Sequence, residues 1–304
     1  MVRLPDVHLC LIVKNEADKI EKALVHRGLF TSTLVVDTGS TDGTQEICKQ
    51  LGANVVSFDW VDDFSAARNV WLDHIKEGWI FWLDADDELS EDSVSEILGC
   101  AAYAQDDVFG YVVDYEYPNG YVCDHIRLFR ADRNIRWKGR IHEHLDFRKS
   151  GYGKILRAEA SVQHTGYPMH DPEALEAKSR RNNELLEIEL RQDPANAIIY
   201  QYIAMDHQAH ARHEDAVEWF KKALKRSRTE KDFTWLPETY LNLSRSLVKL
   251  GRHEEAEDAM NDGMKRFPKE FPVFMERHLK MRLPDGRSAE DIGRSRRKLL
   301  SALS

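Results

Sequence analysis

Trp79-Ile80-Phe81-Trp82-Leu83-Asp84-Ala85-Asp86-Asp87-Glu88 runs an apolar segment straight into a group of carboxylates. Trp79–Leu83 has the length of a strand buried on both faces and is far too short to cross a bilayer. Carboxylates clustered without partners repel one another, so their delivery side by side at a strand end points to a cation. Hard oxygen donors in that number suit Mg²⁺ or Mn²⁺ bridging a diphosphate. The competing reading is an acidic turn that caps the helix beginning at Ser90.

Working upstream, His8–Val13, Leu34–Val36 and Asn54–Phe58 read as strands. Helices over Ala17–Arg27, Gly43–Leu51 and Phe64–His74 alternate with them, and Ser90–Leu98 follows as a helix with Ser90 as its N-cap. This alternation predicts an α/β domain, a parallel sheet covered by helices, with ligands at the carboxyl ends of the strands. The polar clusters fall there, at Lys14-Asn15-Glu16, Asp37 to Thr44 and Asp84 to Glu88. From Val108 to about Gly166 the texture changes: Phe109–Tyr117 and Tyr121–Phe129 flank the turn Pro118-Asn119-Gly120 and predict a β-hairpin. The remainder of that stretch reads as short strands and loops.

From Asp171 the chain reads as helix. Ala211-Arg212-His213-Glu214-Asp215-Ala216 recurs 40 residues later as Gly251-Arg252-His253-Glu254-Glu255-Ala256, each between two helical stretches. The pattern resembles tetratricopeptide repeats, an all-α arrangement. The expected organisation is residues 1–170 as the α/β domain, 171–195 as a connecting helix, 196–282 as repeats and 283–304 as a capping helix. Ser288-Ala289-Glu290-Asp291 resembles a capping box at the start of that last helix. The repeats would serve either as a docking groove for a protein or acceptor, or as a brace and homo-oligomer contact.

At 304 residues, with 42% hydrophobic and 31% charged side chains, the chain has the balance of a folded protein rather than a disordered one. A net charge of −9 argues against a dedicated nucleic-acid binder. Asp124 to Arg157, however, holds ten Lys/Arg against four Asp/Glu, or +6, leaving −15 elsewhere. Such a zone either faces an anion or is a solvated face paired with acidic neighbours. The four cysteines form no CxxC pair, which argues against both a disulfide framework and a thiolate metal site. With no secretory signal and no transmembrane run, a cytoplasmic location is expected.

Four clusters in order carry a family resemblance: Leu11-Ile12-Val13-Lys14-Asn15-Glu16, Val35 to Thr44, Asp62 to Asn69, and Trp82 to Glu88 with its DXD motif. Together they resemble the nucleotide-sugar half of a family 2 glycosyltransferase of the GT-A fold, over about residues 7–166. The branch with C-terminal repeats, which includes sublancin-type peptide S-glycosyltransferases, is the most similar. The resemblance implies that Val13, Lys14, Asn15, Glu16 and Asp37 hold the nucleobase and ribose. It implies that Arg68 reaches the base or the diphosphate, that Asp84 and Ala85 line the ribose and sugar, and that Asp86 binds the metal. Many relatives carry a second aspartate where this chain has Thr38, so the base contacts depart from the pattern there. Trp137 to Leu145 resembles the family's G-x-I-H-E segment and Val162 to Tyr167 its H-x-G-Y segment. These make Glu143 the expected catalytic base, with Asp146 as the fallback, and His164 a further metal ligand. The alternatives are an Arg68 paired to Asp62 or Asp63, and a structural Glu143 paired to Arg140.

The resemblance thus implies an inverting, Mn²⁺- or Mg²⁺-dependent transfer from a nucleotide-sugar, a UDP-sugar, to an acceptor nucleophile. The acceptor is left open between a peptide or protein side chain, a glycan and a hydroxymethylated DNA base. The competing function is a non-catalytic scaffold joining a degenerate transferase domain to an interaction array.

Overall fold

The computed structural model describes residues 5–147, 149–166, 171–227, 235–268 and 271. The expected capping helix over 283–304 lies outside them. The chain divides into two compact units, Met1–Leu175 and Glu176–Ser304.

The first unit begins as β1 (Val7–Val13), α1 (Ile20–Ala23), β2 (Ser32–Asp37), α2 (Thr44–Gln50), β3 (Asn54–Ser57), α3 (Phe64–His74) and β4 (Trp79–Asp84). β5 (Asp87–Leu89), α4 (Glu91–Tyr103), β6 (Val108–Glu116), β7 (Val122–Arg130), β8 (Arg136–Lys138), β9 (His144–Asp146) and β10 (Lys154–His164) follow. Eight strands form one sheet in the order β3-β2-β1-β4-β7-β6-β10-β5, and β8 pairs with β9 separately. β3, β2, β1 and β4 are parallel, while β7 runs antiparallel to both β4 and β6. β1 sits between β2 and β4, so the chain reverses its winding there, and the crevice beyond the ends of β1 and β4 is where such sheets bind ligands.

Both faces of the central strands are covered, which is why β2 and β4 read as continuous apolar runs rather than alternations. On one face Leu9, Leu11, Phe81, Val113 and Val162 pack with Val94 and Ile97 of α4. On the other, Val36, Ile80 and Trp82 pack with Ala67, Trp71 and Leu72 of α3 and with Trp137 and Leu145.

Two expectations need correction. The helix expected over Ala17–Arg27 contracts to Ile20–Ala23 followed by a 3₁₀ turn at Arg27–Leu29. The chain turns at Glu16, whose carbonyl accepts from the N–H groups of Lys19 and Ile20, while the N–H groups of Glu16 and Ala17 donate to Thr44 Oγ1 and Asp42 Oδ2. The segment read as short strands and loops contains the eleven-residue β10, which runs parallel to β6 and antiparallel to β5. Its inward residues include the small Ala158 and Ala160, so its alternation is faint in sequence.

The second unit holds α5 (Pro172–Gln192), α6 (Ala197–Ala209), α7 (His213–Arg226), α8 (Leu236–Lys249) and α9 (His253–Arg266). α6 packs on α7, α7 on α8 and α8 on α9. The two repeated motifs begin at the ends of α6 and α8 and lead into α7 and α9, with Ala216 and Ala256 fully buried at equivalent positions.

Gly110 lies where β6 crosses β7, and a Cβ there would stand 2.6 Å from the Leu128 carbonyl oxygen. Gly110→Ala should therefore destabilise the first unit by about 1–3 kcal/mol, as overpacking does. Denaturant unfolding checks this; an unchanged midpoint would mean that the β6–β7 ladder yields without cost.

Candidate active site

The loop after β1 is laced to the loop after β2. Asn15 takes a left-handed φ of 56°. Its N–H donates to Ser40 Oγ, and its side-chain oxygen accepts from the Thr41 N–H. Val13 supplies a carbonyl to the Thr38 N–H and hydroxyl. Lys14 is exposed beside them and Glu16 half-buried. Asp37 is fully buried at the end of β2, and its Oδ1 accepts from the N–H groups of Gly39 and Ser40 and from Gln45 Nε2. Its Oδ2 is buried with no hydrogen-bond partner among the described residues, an acceptor that nothing within the fold has used.

At the end of β4, Asp84 stands between two guanidinium groups. Arg68 Nη2 is 3.6 Å from its Oδ1 and Arg127 Nη2 3.4 Å from its Oδ2. Burial alone would raise the Asp84 carboxyl, but Arg127 and Arg68 outweigh it and hold its pKa below the ordinary carboxylate value. The same two cations sandwich the Trp82 ring, Arg68 at 4.0 Å and Arg127 at 3.6 Å from its centroid. Trp71 and Trp137 close over Arg68. Stacked guanidinium is more weakly hydrated than ammonium, which makes arginine the residue for such a buried place.

Arg68 also reaches Glu143, with Nε donating to Oε1 at 2.5 Å. The alternative in which Arg68 pairs with Asp62 or Asp63 is overturned: Asp63 caps α3 and Asp62 accepts from Trp60 Nε1. Arg140 donates to the carbonyls of Val61 and Asp62. Glu143 owes its position to a loop held at both ends. Asn69 exchanges two hydrogen bonds with the Trp137 backbone, and Phe64 N–H donates to the Arg140 carbonyl. Gly139 and His142 bend the loop with left-handed φ values of 96° and 53°. The fallback base, Asp146, is in β9 and meets Lys138 Nζ at 2.6 Å.

Past Asp84 and the buried Ala85, the chain turns into β5, and the β5–β10 register sets Asp87 opposite His164. Asp86, Asp87 and His164 bring their ligand atoms within 4.8 Å of one another. His164 Nδ1 lies 3.5 Å from Asp86 Oδ1 and 3.1 Å from Asp87 Oδ1. Burial, helped by the charges of Asp84 and Asp87, lifts the Asp86 carboxyl above its ordinary pKa against the pull of His164. Burial lowers the His164 imidazole, yet its bond to Asp87 and the charges of Asp86, Asp87 and Asp84 leave its pKa raised. The chain after β10 closes on this corner, with Thr165 N–H and hydroxyl donating to the Asp86 carbonyl. Carboxylate oxygen with imidazole is a donor set that fits Mg²⁺ or Mn²⁺.

Two members of this site were given no role of their own in the sequence reading: Asp87, quoted only within the acidic cluster, and Arg127. Arg127 is fully buried and pairs with Asp87 at 3.0 Å. Its signal was available: an arginine at an inward position between Ile126 and Leu128 of a hairpin strand requires a buried partner. It lies in the +6 zone, most of whose cations have partners in the structure. Arg136 meets Asp73, Lys138 meets Asp146, Lys154 meets Asp107, and Arg157 meets Asp114 and Asp124. Arg130 donates to the backbone carbonyls of Val108 and Gln105.

The model of the family described as "Glycosyl transferase family 2" matches residues 9–160, and a tetratricopeptide-repeat model matches residues 195–269. The SPbeta prophage-derived glycosyltransferase SunS of Bacillus subtilis is 27% identical over 228 residues, 72% of this chain and 53% of that protein. A TPR repeat-containing protein of Synechococcus elongatus is 28% identical over 238 residues, 75% of this chain and 58% of that protein. The chain thus spans about half the length of these curated relatives. Among solved structures, glucosyl-3-phosphoglycerate synthase from Mycobacterium tuberculosis, in complex with Mn²⁺ and UDP-glucose, is 21% identical. The match covers 38% of this chain and 45% of that one, with a TM-score of 0.33. No helix among the described residues is long and apolar enough to cross a membrane.

His125 of β7 stacks on Tyr115 of β6 with ring centroids 4.6 Å apart. Burial, followed by the charge of Arg127, drives its pKa down to about 3. An unfolded chain takes up this proton near 6.5, so between 6.5 and 3 the unfolded state binds more protons and falling pH costs stability. His125→Phe should flatten the dependence of the unfolding midpoint on pH across that window relative to wild type. Equal slopes would mean that the imidazole charges in place.

Proposed function

The chain belongs to glycosyl transferase family 2, and on that premise we propose that it moves a sugar from a UDP-sugar to an acceptor nucleophile with inversion at the anomeric carbon. The observation that carries the reading is the convergence at one strand end of Asp84, Asp86 and His164 with the Arg68–Glu143 pair. In this reading Val13, Lys14, Asn15, Glu16 and Asp37 receive the nucleoside, and the unspent Asp37 Oδ2 is an acceptor for one of its donors. Asp84, with Ala85 beside it, receives ribose or sugar hydroxyls. Asp86 and His164 hold a divalent cation, which when bound offsets charge on the departing diphosphate. Arg68 Nη1 is buried with no hydrogen-bond partner among the described residues, a further donor available to that charge.

Glu143 is the base in this scheme. An acceptor hydroxyl or thiol is a weak nucleophile until its proton is removed, and a carboxylate within hydrogen-bond reach removes it as attack proceeds. The transition state has oxocarbenium character, as in glycoside hydrolysis, and one direct displacement inverts the centre. The ion pair with Arg68 orients Glu143. For the acceptor we favour a peptide or protein side chain or a glycan over a DNA base. Most cations of the basic segment already have acidic or carbonyl partners, so they form no ready track for a phosphate backbone.

Incubation with a UDP-sugar panel and Mn²⁺, followed by mass spectrometry, should reveal metal-dependent donor hydrolysis or transfer. A protein that binds no donor and turns none over would be a scaffold. Glu143→Gln should keep donor affinity while transfer falls by about 10²–10⁴-fold, the usual range for losing a general base. A near wild-type rate would move the base elsewhere, with Asp146 next, and lost UDP binding would make Glu143 structural.

Gly166 provides an independent check on Asp86. A Cβ at Gly166 would fall inside the Asp86 carboxylate, so the carboxylate must move if Gly166→Ala is to fold. Mn²⁺-dependent UDP affinity should then drop by about 10–100-fold, as when a ligand's support is lost. Unaltered affinity by calorimetry would mean that the cation does not rest on Asp86.

A further inference from the structure

Asp86, Asp87 and His164 lie close enough to share one cation, but their hydrogen bonds set Asp87 apart. Asp87 is 1% exposed. Its Oδ2 accepts from Arg127 Nη1 at 3.0 Å and from the Asp84 N–H at 2.8 Å. Its Oδ1 accepts from the Tyr115 hydroxyl at 2.8 Å and faces His164 Nδ1 at 3.1 Å. A carboxylate offers about four lone-pair sites, and all are engaged. Its charge is matched by Arg127, both side chains being wholly buried.

The proton count fixes the imidazole. An ionised carboxylate only accepts, so Tyr115 spends its single hydroxyl proton on Asp87. The Tyr115 oxygen, 2.8 Å from His164 Nδ1, is then an acceptor towards the ring, as is Asp87 Oδ1. Two acceptors around Nδ1 require the proton to sit there, which places the lone pair of the neutral ring on Nε2. Metal-binding histidines commonly send their other N–H to a carboxylate in this way.

Resting on the metal reading above, we infer that Asp87 is not a third ligand but a positioning residue. Backed by Arg127 and Tyr115, it holds His164 in the Nδ1–H tautomer, which leaves Nε2 as the ring nitrogen whose lone pair a cation would take, and leaves Asp86, whose Oδ1 lies 3.5 Å from Nδ1, as the carboxylate not spent on Arg127. Asp86 is suited to a ligand's part, its side chain being 22% exposed against 0% for Asp87.

Asp87→Asn tests the assignment. Arg127 and the Asp84 N–H both donate to one side of residue 87 and fix the amide oxygen there. The amide NH₂ then faces Tyr115 and His164 and favours the opposite tautomer, as aspartate-to-asparagine changes do beside other functional histidines. Side-chain ¹⁵N NMR of the metal-free full chain, above the titration of the ring, reads the tautomer. Electron paramagnetic resonance of Mn²⁺ with UDP reads the affinity. The expected result is Nδ1–H in wild type, Nε2–H in Asp87→Asn, and Mn²⁺ affinity lower by about 10–100-fold. Tyr115→Phe, which leaves the carboxylate in place, should keep the Nδ1–H form and serves if Asp87→Asn fails to fold. A wild-type His164 carrying its proton on Nε2 would overturn the inference, as would an Asp87→Asn protein with unchanged tautomer. Wild-type protein with Nδ1–H that takes up no Mn²⁺ would retire the metal reading and leave the hydrogen-bond assignment standing.

Discussion

Arg127, a guanidinium with no exposure, sits between Asp84 and Asp87, and the arrangement of the site follows from having to pair that charge. A cation taken fully out of water costs several kcal/mol unless oppositely charged and hydrogen-bonding groups surround it, and stranding it by removing a partner costs about 3–5 kcal/mol. Satisfying Arg127 brings together β4, which carries Asp84, β5, which carries Asp87, and β7, which carries Arg127 itself. Tyr115 on β6 and His164 on β10 join through Asp87. Five strands spread from Trp79 to His164 thus meet through one buried charge.

A second cation extends the arrangement. Arg68 shares Asp84 and the Trp82 ring with Arg127 and turns its Nε to Glu143. A continuous chain of charges therefore runs from His164 through Asp87, Arg127, Asp84 and Arg68 to Glu143, spanning the proposed metal and base positions. The indole walls lower the local dielectric, which strengthens each contact and makes each unpaired group more costly. Three non-glycine residues in left-handed backbone, Asn15, Asp62 and His142, lie in the loops around this chain. Such conformations cost about 1–3 kcal/mol and persist where surrounding contacts impose them.

The parallel half of the sheet was legible because both its faces are covered, so β1, β2 and β4 announce themselves as short apolar runs ending in polar clusters. The hairpin of β6 and β7 was legible for a local reason, the Pro118-Asn119-Gly120 turn between alternating residues. The repeats were legible through the recurrence of one motif. What failed was local inference wherever a distant segment intervened. α1 is shorter than its apolar spacing suggests, and the segment before it is tied to the loop after β2 through the N–H groups of Glu16 and Ala17. β10 was missed because its inward positions are small and its partner strands are far away in sequence.

The sequence by itself determined the strand–helix order, the strand ends at which chemistry gathers, and the residue types gathered there: Asp37, Asp84, Asp86, Glu143 and His164. Asp37, Asp84 and Asp86 follow from hydrophobic period and turn residues, which are short-range properties, whereas Glu143 and His164 were singled out only by the family resemblance. Only the tertiary structure decided the partners. That Arg68 holds Glu143 from 75 positions away, that Asp87 faces inward with its charge spent on Arg127, and that most cations of the basic segment have partners of their own are consequences of strand register and burial. The physical reason is that pairing energy depends on distance and desolvation, which no local pattern of residues encodes.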